Sequence, residues 1–363
     1  MDSRTAYIAL NLMEEIGPVG VRALSIALGS PEAIFEAAPD DLARAEGVGP
    51  AQIKALLRQR GRVDPARELE RARRAGADIV TPADAAYPRP LLGLHDPPLA
   101  LYVKGTLAPE DKRALAVVGS RHTTVYGRET AERLAFHLAK AGFTVVSGLA
   151  RGIDTAAHRG ALQGGGRTLA VLGGALDCLY PPENAELAEQ AAGRGAVLSE
   201  FPMGRQPDRT TFPMRNRIVS GLSMGVLVVE AGLNSGALIT AGDALEQGRT
   251  VFAVPGRVDS PASRGAHRLI RDGARLVESV DDILEEFEFL IPPGAGHGAP
   301  ARPPLSPDEQ AVVDALAEEE RDLDALTRAV GLPAAAVSAL VLGLEMKRVV
   351  RMLPGRRAAL VRR

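Results

Sequence analysis

"ALAVVGSRHTTVYGRETAERLAFHLAKAGFTVVSG", residues 114–148, is the stretch whose reading decides the fold. Two short apolar runs, 114–119 and 143–148, enclose a helical stretch that begins near Val125. Neither run alternates apolar with polar residues, so each needs cover on both faces, as a strand of a parallel sheet layered by helices does. Similar runs recur at "TLAVLGG" (168–174), "AVLSE" (196–200), "GVLVVE" (225–230) and "TVFAVPG" (250–256), with helical stretches between them. From about Pro65 to Phe289 the pattern predicts an α/β domain built on a parallel sheet. Ligands of such sheets bind beyond the carboxyl ends of the strands. There lie Gly119-Ser120-Arg121, Ser147-Gly148, Gly173-Gly174, Ser199-Glu200, Glu230 and Pro255-Gly256, which are expected to share one rim.

The chain has 363 residues, 46% hydrophobic and 24% charged, with a formal net charge of −2. These values fit a globular protein of two or three domains. There is no apolar run of a length to span a membrane and no signal-peptide pattern in "MDSRTAYIAL". A single cysteine, Cys178, fits a reducing cytoplasm and reads as a small buried residue. Of the 43 basic residues 38 are arginine, but the balanced total charge means that any surface for nucleic acid must be local.

Residues 1–64 read as a helical module containing two similar pieces, "MEEIGPVGVRALSIAL" and "RAEGVGPAQIKALLRQ". Gly47-Val48-Gly49 resembles the turn of a helix-hairpin-helix unit, whose free N–H groups can face a phosphate. Pro18 makes the first piece depart from that pattern. A helical packing module and a weak DNA-binding one both remain open. Residues 291–307, rich in proline and glycine, read as a linker. Residues 308–363 read as three helices and a hairpin turning at Pro354-Gly355, a winged-helix pattern. Its third helix, "PAAAVSALVLGLEM", has no Lys or Arg, so a protein contact is favoured over groove reading, although Arg356 and Arg357 stand on the wing.

At the rim, the Gly119-Ser120-Arg121 turn offers N–H groups, a hydroxyl and a guanidinium to an anion. The dinucleotide fingerprint Gly-x-Gly-x-x-Gly is absent. In "SGLARGIDTAAHRGAL" (147–162), Ser147 and Gly148 end a strand and Gly152 permits close backbone approach. Asp154 and His158, four apart, read as a dipole-favoured carboxylate orienting a histidine, since neither a nucleophile nor a metal-ligand set accompanies them. Asn234, Ser235 and Gly236 form a third small-residue turn ahead of a helix that carries Thr240. "GRQPDRTTFPMRNRIVSG" (204–221) sets Arg205, Arg209, Arg215 and Arg217 against one acid, Asp208, and adds Phe212. Guanidinium forks match phosphate oxygens, and a ring can stack an unpaired base for about 1–3 kcal/mol. The competing reading puts Phe212 in the core and pairs Arg217 with Glu200 or Glu230.

Together "GSR", "SGLARGIDTAAH", "GGALDCLYP", "SEFP", "FPMRNRIVSG", "VVEAGLNSGALITA", "VPG" and "GAHRLIRDGA" resemble the DNA-processing protein A family, DprA or Smf. The resemblance covers residues 65–290 densely. It implies an extended Rossmann-like core, flanked by an N-terminal helical (SAM or helix-hairpin-helix-like) domain and a C-terminal winged helix. It further implies a non-enzymatic cytoplasmic homodimer without cofactor or metal. Such a protein binds single-stranded DNA entering in natural transformation, protects it, and loads RecA on it against single-strand binding protein. Carried onto this chain, the pocket would use Gly119, Ser120, Arg121, Ser147, Gly148 and Arg209. Phe212 would stack a base, and Arg215, Asn216 and Arg217 would line the wall. Arg209 stands where the family often has lysine. The rival class is the nucleotide phosphoribohydrolases of the lysine-decarboxylase-like group, which carry Pro-Gly-Gly-x-Gly-Thr-x-x-Glu at the corresponding strand end. Here "EAGLNSGALIT" lacks both the glycine pair and the later glutamate.

Overall fold

The computed structural model describes residues 1–287, 305–317, 320–347, 349–353 and 357–360. Its contacts form two compact units, Met1–Glu286 and Phe287–Arg363. The first begins with helices α1 (Ser3–Asn11), α2 (Pro18–Leu28), α3 (Ala33–Glu36), α4 (Pro39–Leu42), α5 (Pro50–Gln59) and α6 (Pro65–Arg74). Strand β1 (Asp78–Val80), helix α7 (Arg89–Leu92) and strand β2 (Leu101–Gly105) follow. The chain then winds through β3 (Ala114–Val118), α8 (Val125–Lys140), β4 (Thr144–Ser147), α9 (Ile153–Gln163) and β5 (Thr168–Val171). It continues with α10 (Ala185–Arg194), β6 (Ala196–Ser199), α11 (Thr211–Gly221), β7 (Gly225–Val228) and α12 (Ala237–Glu246). It closes with β8 (Thr250–Ala253), α13 (Arg264–Arg271), β9 (Arg275–Leu276) and α14 (Asp281–Glu286).

The nine strands form one sheet in the order β1-β2-β6-β5-β4-β3-β7-β8-β9. All neighbours from β6 to β9 pair in parallel, and every residue of β3, β4, β5, β6 and β7 is buried. The continuous apolar runs therefore mean what the sequence pattern suggests, a sheet covered on both faces. One edge departs from it. β2 pairs antiparallel with β6, and β1 antiparallel with β2. Both strands enter before the βαβ winding begins, so no crossover helix forces them to run with the others.

β3 lies between β4 and β7. The chain winds outward through β4, β5 and β6, then returns to the other side of β3 as β7. That reversal opens a crevice at the carboxyl ends of β3, β4 and β7, where an open α/β sheet binds its ligand.

The front helices have their own apolar cluster around Leu10, Ile16, Leu24, Ile34, Leu42 and Leu56, joined by Leu99. Ile8, Ala72, Ile79, Tyr102 and Met203 form a second cluster between α1, α6 and the sheet edge. The buried Glu68 carboxylate accepts hydrogen bonds from the Tyr102 hydroxyl (2.8 Å) and the Met203 N–H (2.7 Å). Gly17 and Gly49 cap α2 and α5, with Pro18 and Pro50 each in the first helical turn. The two pieces are thus alike in the very residue that seemed to separate them, since Pro50 also removes a donor.

The second unit holds α15 (Pro307–Ala315), β10 (Arg321–Asp322), α16 (Leu323–Val330), α17 (Ala334–Met346), β11 (Val350–Leu353) and β12 (Arg357–Leu360). Ser306 and Glu309 cap α15 reciprocally. Val312, Leu326, Val337, Val341, Leu344 and Val350 form its core. The strands pair as β10-β12-β11, so three helices and a small antiparallel sheet make a winged helix. Most of the linker reading, the Pro354-Gly355 turn and Arg356 lie outside the described residues. Among the described residues no single helix is long and apolar enough to cross a membrane.

Candidate nucleic-acid interface

A cleft of about 660 Å³ opens at the crevice. Gly119, Ser120 and Arg121 line it from the end of β3, Gly148 from the end of β4, and Asn234, Ser235 and Gly236 from the start of α12. Phe212, Arg215 and Asn216 line it from α11. Ten of the fourteen residues proposed from sequence thus meet in one cavity.

The walls are braced from below. Glu230, just beyond β7, is buried and accepts hydrogen bonds from the Thr123 hydroxyl (2.6 Å), the Thr124 N–H (2.8 Å) and the Thr124 hydroxyl (2.8 Å). Its carbonyl accepts from the Ser120 N–H (2.7 Å). One residue on β7's end therefore fixes the loop after β3. On α11, Arg215 is 4% exposed and donates through Nη1 to the carbonyls of Gly148 (2.6 Å) and Val171. A Cβ on Gly148 would lie 2.2 Å from that Nη1, so only glycine leaves room for the guanidinium. Burial pushes the Arg215 pKa down to about 10, against the pull of Asp154 and with the help of Arg121, which leaves it charged at neutral pH.

At the mouth, the exposed Arg121 guanidinium lies 4.4 Å from the centroid of the Phe212 ring. The Tyr180 ring is 6.1 Å from that of Phe212, tilted by 55°, and the Arg151 guanidinium is 5.4 Å from the Tyr180 centroid. Two adjacent rings are flanked by two arginines along the rim. That arrangement offers flat faces to bases and cations to a backbone.

Four proposed residues stand elsewhere. The Ser147 hydroxyl is fully buried and donates to the Val117 carbonyl at 2.7 Å, so it braces β3 against β4 instead of meeting a ligand. Gly152, at φ +78, lies in a neighbouring cleft, and a Cβ there would sit 2.2 Å from the Ser120 carbonyl. The close approach it permits is to the loop after β3. Arg217 lies on the opposite side of α11, pairing through Nε with Asp96 (2.6 Å) and through Nη2 with Glu200 (2.7 Å). Burial opposes its charge, but the Glu200 and Asp96 carboxylates outweigh burial and raise its pKa. Arg217 is held in structural ion pairs with Asp96 and, of the two glutamates weighed, with Glu200 and not Glu230. Arg209 is exposed beside the cleft and does not line it.

His158 corrects another expectation. Its Nδ1 contacts the Thr168 hydroxyl at 2.7 Å, while the Asp154 carboxylate accepts from the Ala150 N–H at 3.3 Å. Thr168, not Asp154, orients the ring. Burial, with Arg215 nearby, lowers the His158 pKa to about 3, so the imidazole is neutral. Cys178 is half-buried, and burial and then the Asp177 charge raise its thiol pKa, away from a reactive thiolate. Among the described residues no three His, Cys, Asp or Glu side chains gather as a metal-binding group.

Tyr180, Arg264 and His122 were missed. Arg264, the exposed first residue of α13, lines the cleft, as does His122. Tyr180 stood in the "GGALDCLYP" motif and Arg264 just ahead of "GAHRLIRDGA". Neither strand-end position nor charge clustering pointed to them.

A family profile described as "DNA recombination-mediator protein A" matches residues 78–288, which includes every wall of this cleft. The chain belongs to the DprA/Smf family. A second profile, "DprA winged helix domain", matches residues 297–356. Protein Smf of Synechocystis is 36% identical over 98% of this chain and 98% of its own length. The X-ray structure of DNA processing protein A (DprA) from Streptococcus pneumoniae superposes with a TM-score of 0.69 at 35% identity, covering 80% of this chain and 99% of that one. DprA of Helicobacter pylori, described for its single-stranded DNA binding mode, gives 0.53 at 29% identity, covering 59% of this chain and 98% of that one.

Proposed function

We propose that this chain binds single-stranded DNA at the carboxyl edge of its sheet, without catalysis, and passes it to recombination. In this reading it protects strands taken up in natural transformation or exposed in repair. It loads RecA on them in competition with single-strand binding protein, working as a cytoplasmic homodimer. The observation that carries the reading is the Arg121–Phe212–Tyr180–Arg151 series on the rim of a cleft floored by Arg215. A duplex keeps its bases stacked and hidden, so a ring at the rim is useful only to an unpaired strand. The H. pylori relative described for that binding mode supports the same choice.

A binding role is favoured over hydrolysis because Glu230 is occupied by Thr123 and Thr124. The turn after β7 also lacks the glycine pair and the glutamate of the phosphoribohydrolases. The four-part division at residues 1–64, 65–290, 291–307 and 308–363 belongs to the same proposal. In it the winged helix makes a protein contact, since Ala334, Ala335, Ser338, Ala339 and Leu342 are the exposed residues of α17 among those described.

Titration with an oligo-dT and with duplex of equal length tests the core of this reading. Strong preference for the single strand is expected, and equal or weaker binding than to duplex overturns it. A RecA strand-exchange assay on DNA coated with single-strand binding protein tests the loading step. No stimulation by the chain would refute that part alone. Sustained release of base from AMP or CMP would refute the non-enzymatic role.

A further inference from the structure

A second cleft, of about 340 Å³, opens beside the first, at the amino-terminal ends of α8 and α9. Arg121 and His122 line both clefts, so the two are contiguous. Arg128 on α8 and Arg159 on α9 complete the lining with Thr155 and one acid, Glu132. Both arginines are exposed, and neither has an ion-pair partner among the described residues. The Glu132 carboxylate, whose Oε1 accepts from the Gln163 amide at 2.6 Å, offsets one of the three positive charges of Arg121, Arg128 and Arg159 and leaves an excess of two.

Three guanidinium groups from three elements therefore face one cavity. Like charges brought together raise each other's energy, and a bound anion relieves that repulsion. The two helices that carry Arg128 and Arg159 are fixed against each other. A Cβ on Gly160 of α9 would lie 2.1 Å from the Glu132 carbonyl of α8, so the two helices touch backbone to backbone. Phe212 has no counterpart in this lining, which suits a phosphate better than a base.

We propose that this α8–α9 cleft binds the phosphodiester backbone of the strand where it leaves the Phe212 pocket, with Arg128 and Arg159 as the phosphate contacts. The inference rests on the single-strand reading given above. It makes the site longer than the pocket and gives the strand a path over Arg121.

The test uses the full chain, wild type and Arg128→Ala/Arg159→Ala, in fluorescence anisotropy with labelled oligo-dT of about 5 and about 16 nucleotides. On the longer oligonucleotide the double variant should bind more weakly, with a salt slope reduced by about 1.4, or about 0.7 for each lost phosphate contact on a single strand. On the shorter one it should match wild type. Arg128→Lys/Arg159→Lys should keep the slope. Thermal unfolding should not be lowered in either variant, since the side chains are exposed and the alanine changes relieve repulsion.

A wild type that binds both oligonucleotides, with an alanine variant indistinguishable on the longer, overturns the inference alone. Equal losses on both lengths also overturn it, because the arginines then act on the first pocket. Inorganic phosphate that displaces the long strand no better than chloride at equal ionic strength supports a backbone site. Saturable displacement by phosphate, absent in the alanine variant and without effect on slope, would make the cleft a free-phosphate site. A wild type that binds neither oligonucleotide brings down the single-strand reading and this inference with it.

Discussion

Removal of the Phe212 ring separates stacking from charge at the rim. Stacking on an aromatic side chain contributes about 1–3 kcal/mol per base, so Phe212→Ala should weaken oligo-dT binding by about 5- to 150-fold. No phosphate contact is lost, and the slope of log affinity against log salt should stay within about 0.3 of wild type. Arg121→Ala should instead lower that slope by about 0.7, one contact on a single strand. The two residues are not independent. Arg121 lies 4.4 Å from the ring centroid, and at exposed sites such a contact contributes about 0.5–1 kcal/mol. Phe212 thereby helps hold the guanidinium in place, and once the ring is gone Arg121 has less to lose. The double variant should fall short of the summed losses by about 0.5–1 kcal/mol. Anisotropy titrations of the four proteins over about 50–200 mM salt read both quantities. Additivity within about 0.3 kcal/mol would refute the coupling. A slope change for Phe212→Ala equal to that of Arg121→Ala would refute the assignment of stacking to the ring.

Three further outcomes follow from the packing. Gly173→Ala would place a Cβ 2.6 Å from Phe212 Cδ1, so it should displace the ring and weaken binding several-fold at unchanged salt slope; unchanged affinity would show that the ring's position is immaterial. Arg217→Ala strands the buried Glu200 carboxylate and should cost about 3–5 kcal/mol in urea unfolding, with the affinity of the folded fraction retained; a wild-type midpoint with lost binding would return Arg217 to the pocket. His158 is neutral when folded, with Nε2 buried and without a hydrogen-bond partner among the described residues, and its pKa falls from 6.5 to about 3. The unfolded chain then binds more protons between those values, so the stability His158 contributes is fully present above pH 6.5 and is lost as pH falls towards about 3. From pH 7 to 5 the expected loss is about 2 kcal/mol, and His158→Gln should remove most of it; an equally steep profile in the variant would assign the acid sensitivity elsewhere.

The strands and the rim were legible because a covered parallel strand has a plain signature and its carboxyl end is where ligands bind. "ALAVV" and "TVVS" could hardly be anything else, and Gly119, Gly148 and Asn234 followed from them. β1 and β2 were not legible, since antiparallel strands of three to five residues at the margin of the sheet have no repeating context. Side-chain direction was the other gap. Ser147 and Arg217 sit in the right segments but point the wrong way, and no periodicity over so short a span tells which way. Arg264 comes to the cleft from α13, which follows β8, a proximity created only by β8 lying beside β7 in the sheet.

Arg215 and Arg217 are two positions apart on α11, about 200° around the helix, and each is anchored on its own side. Any rotation of α11 about its axis that released one guanidinium would tear the other from its partners. The helix therefore cannot turn to admit a strand and then turn back. Phe212 and Asn216, on the same helix, are held in place by those two anchors. A strand docking here spends little on rearranging the wall, and association is governed by how often it arrives with a base already unstacked.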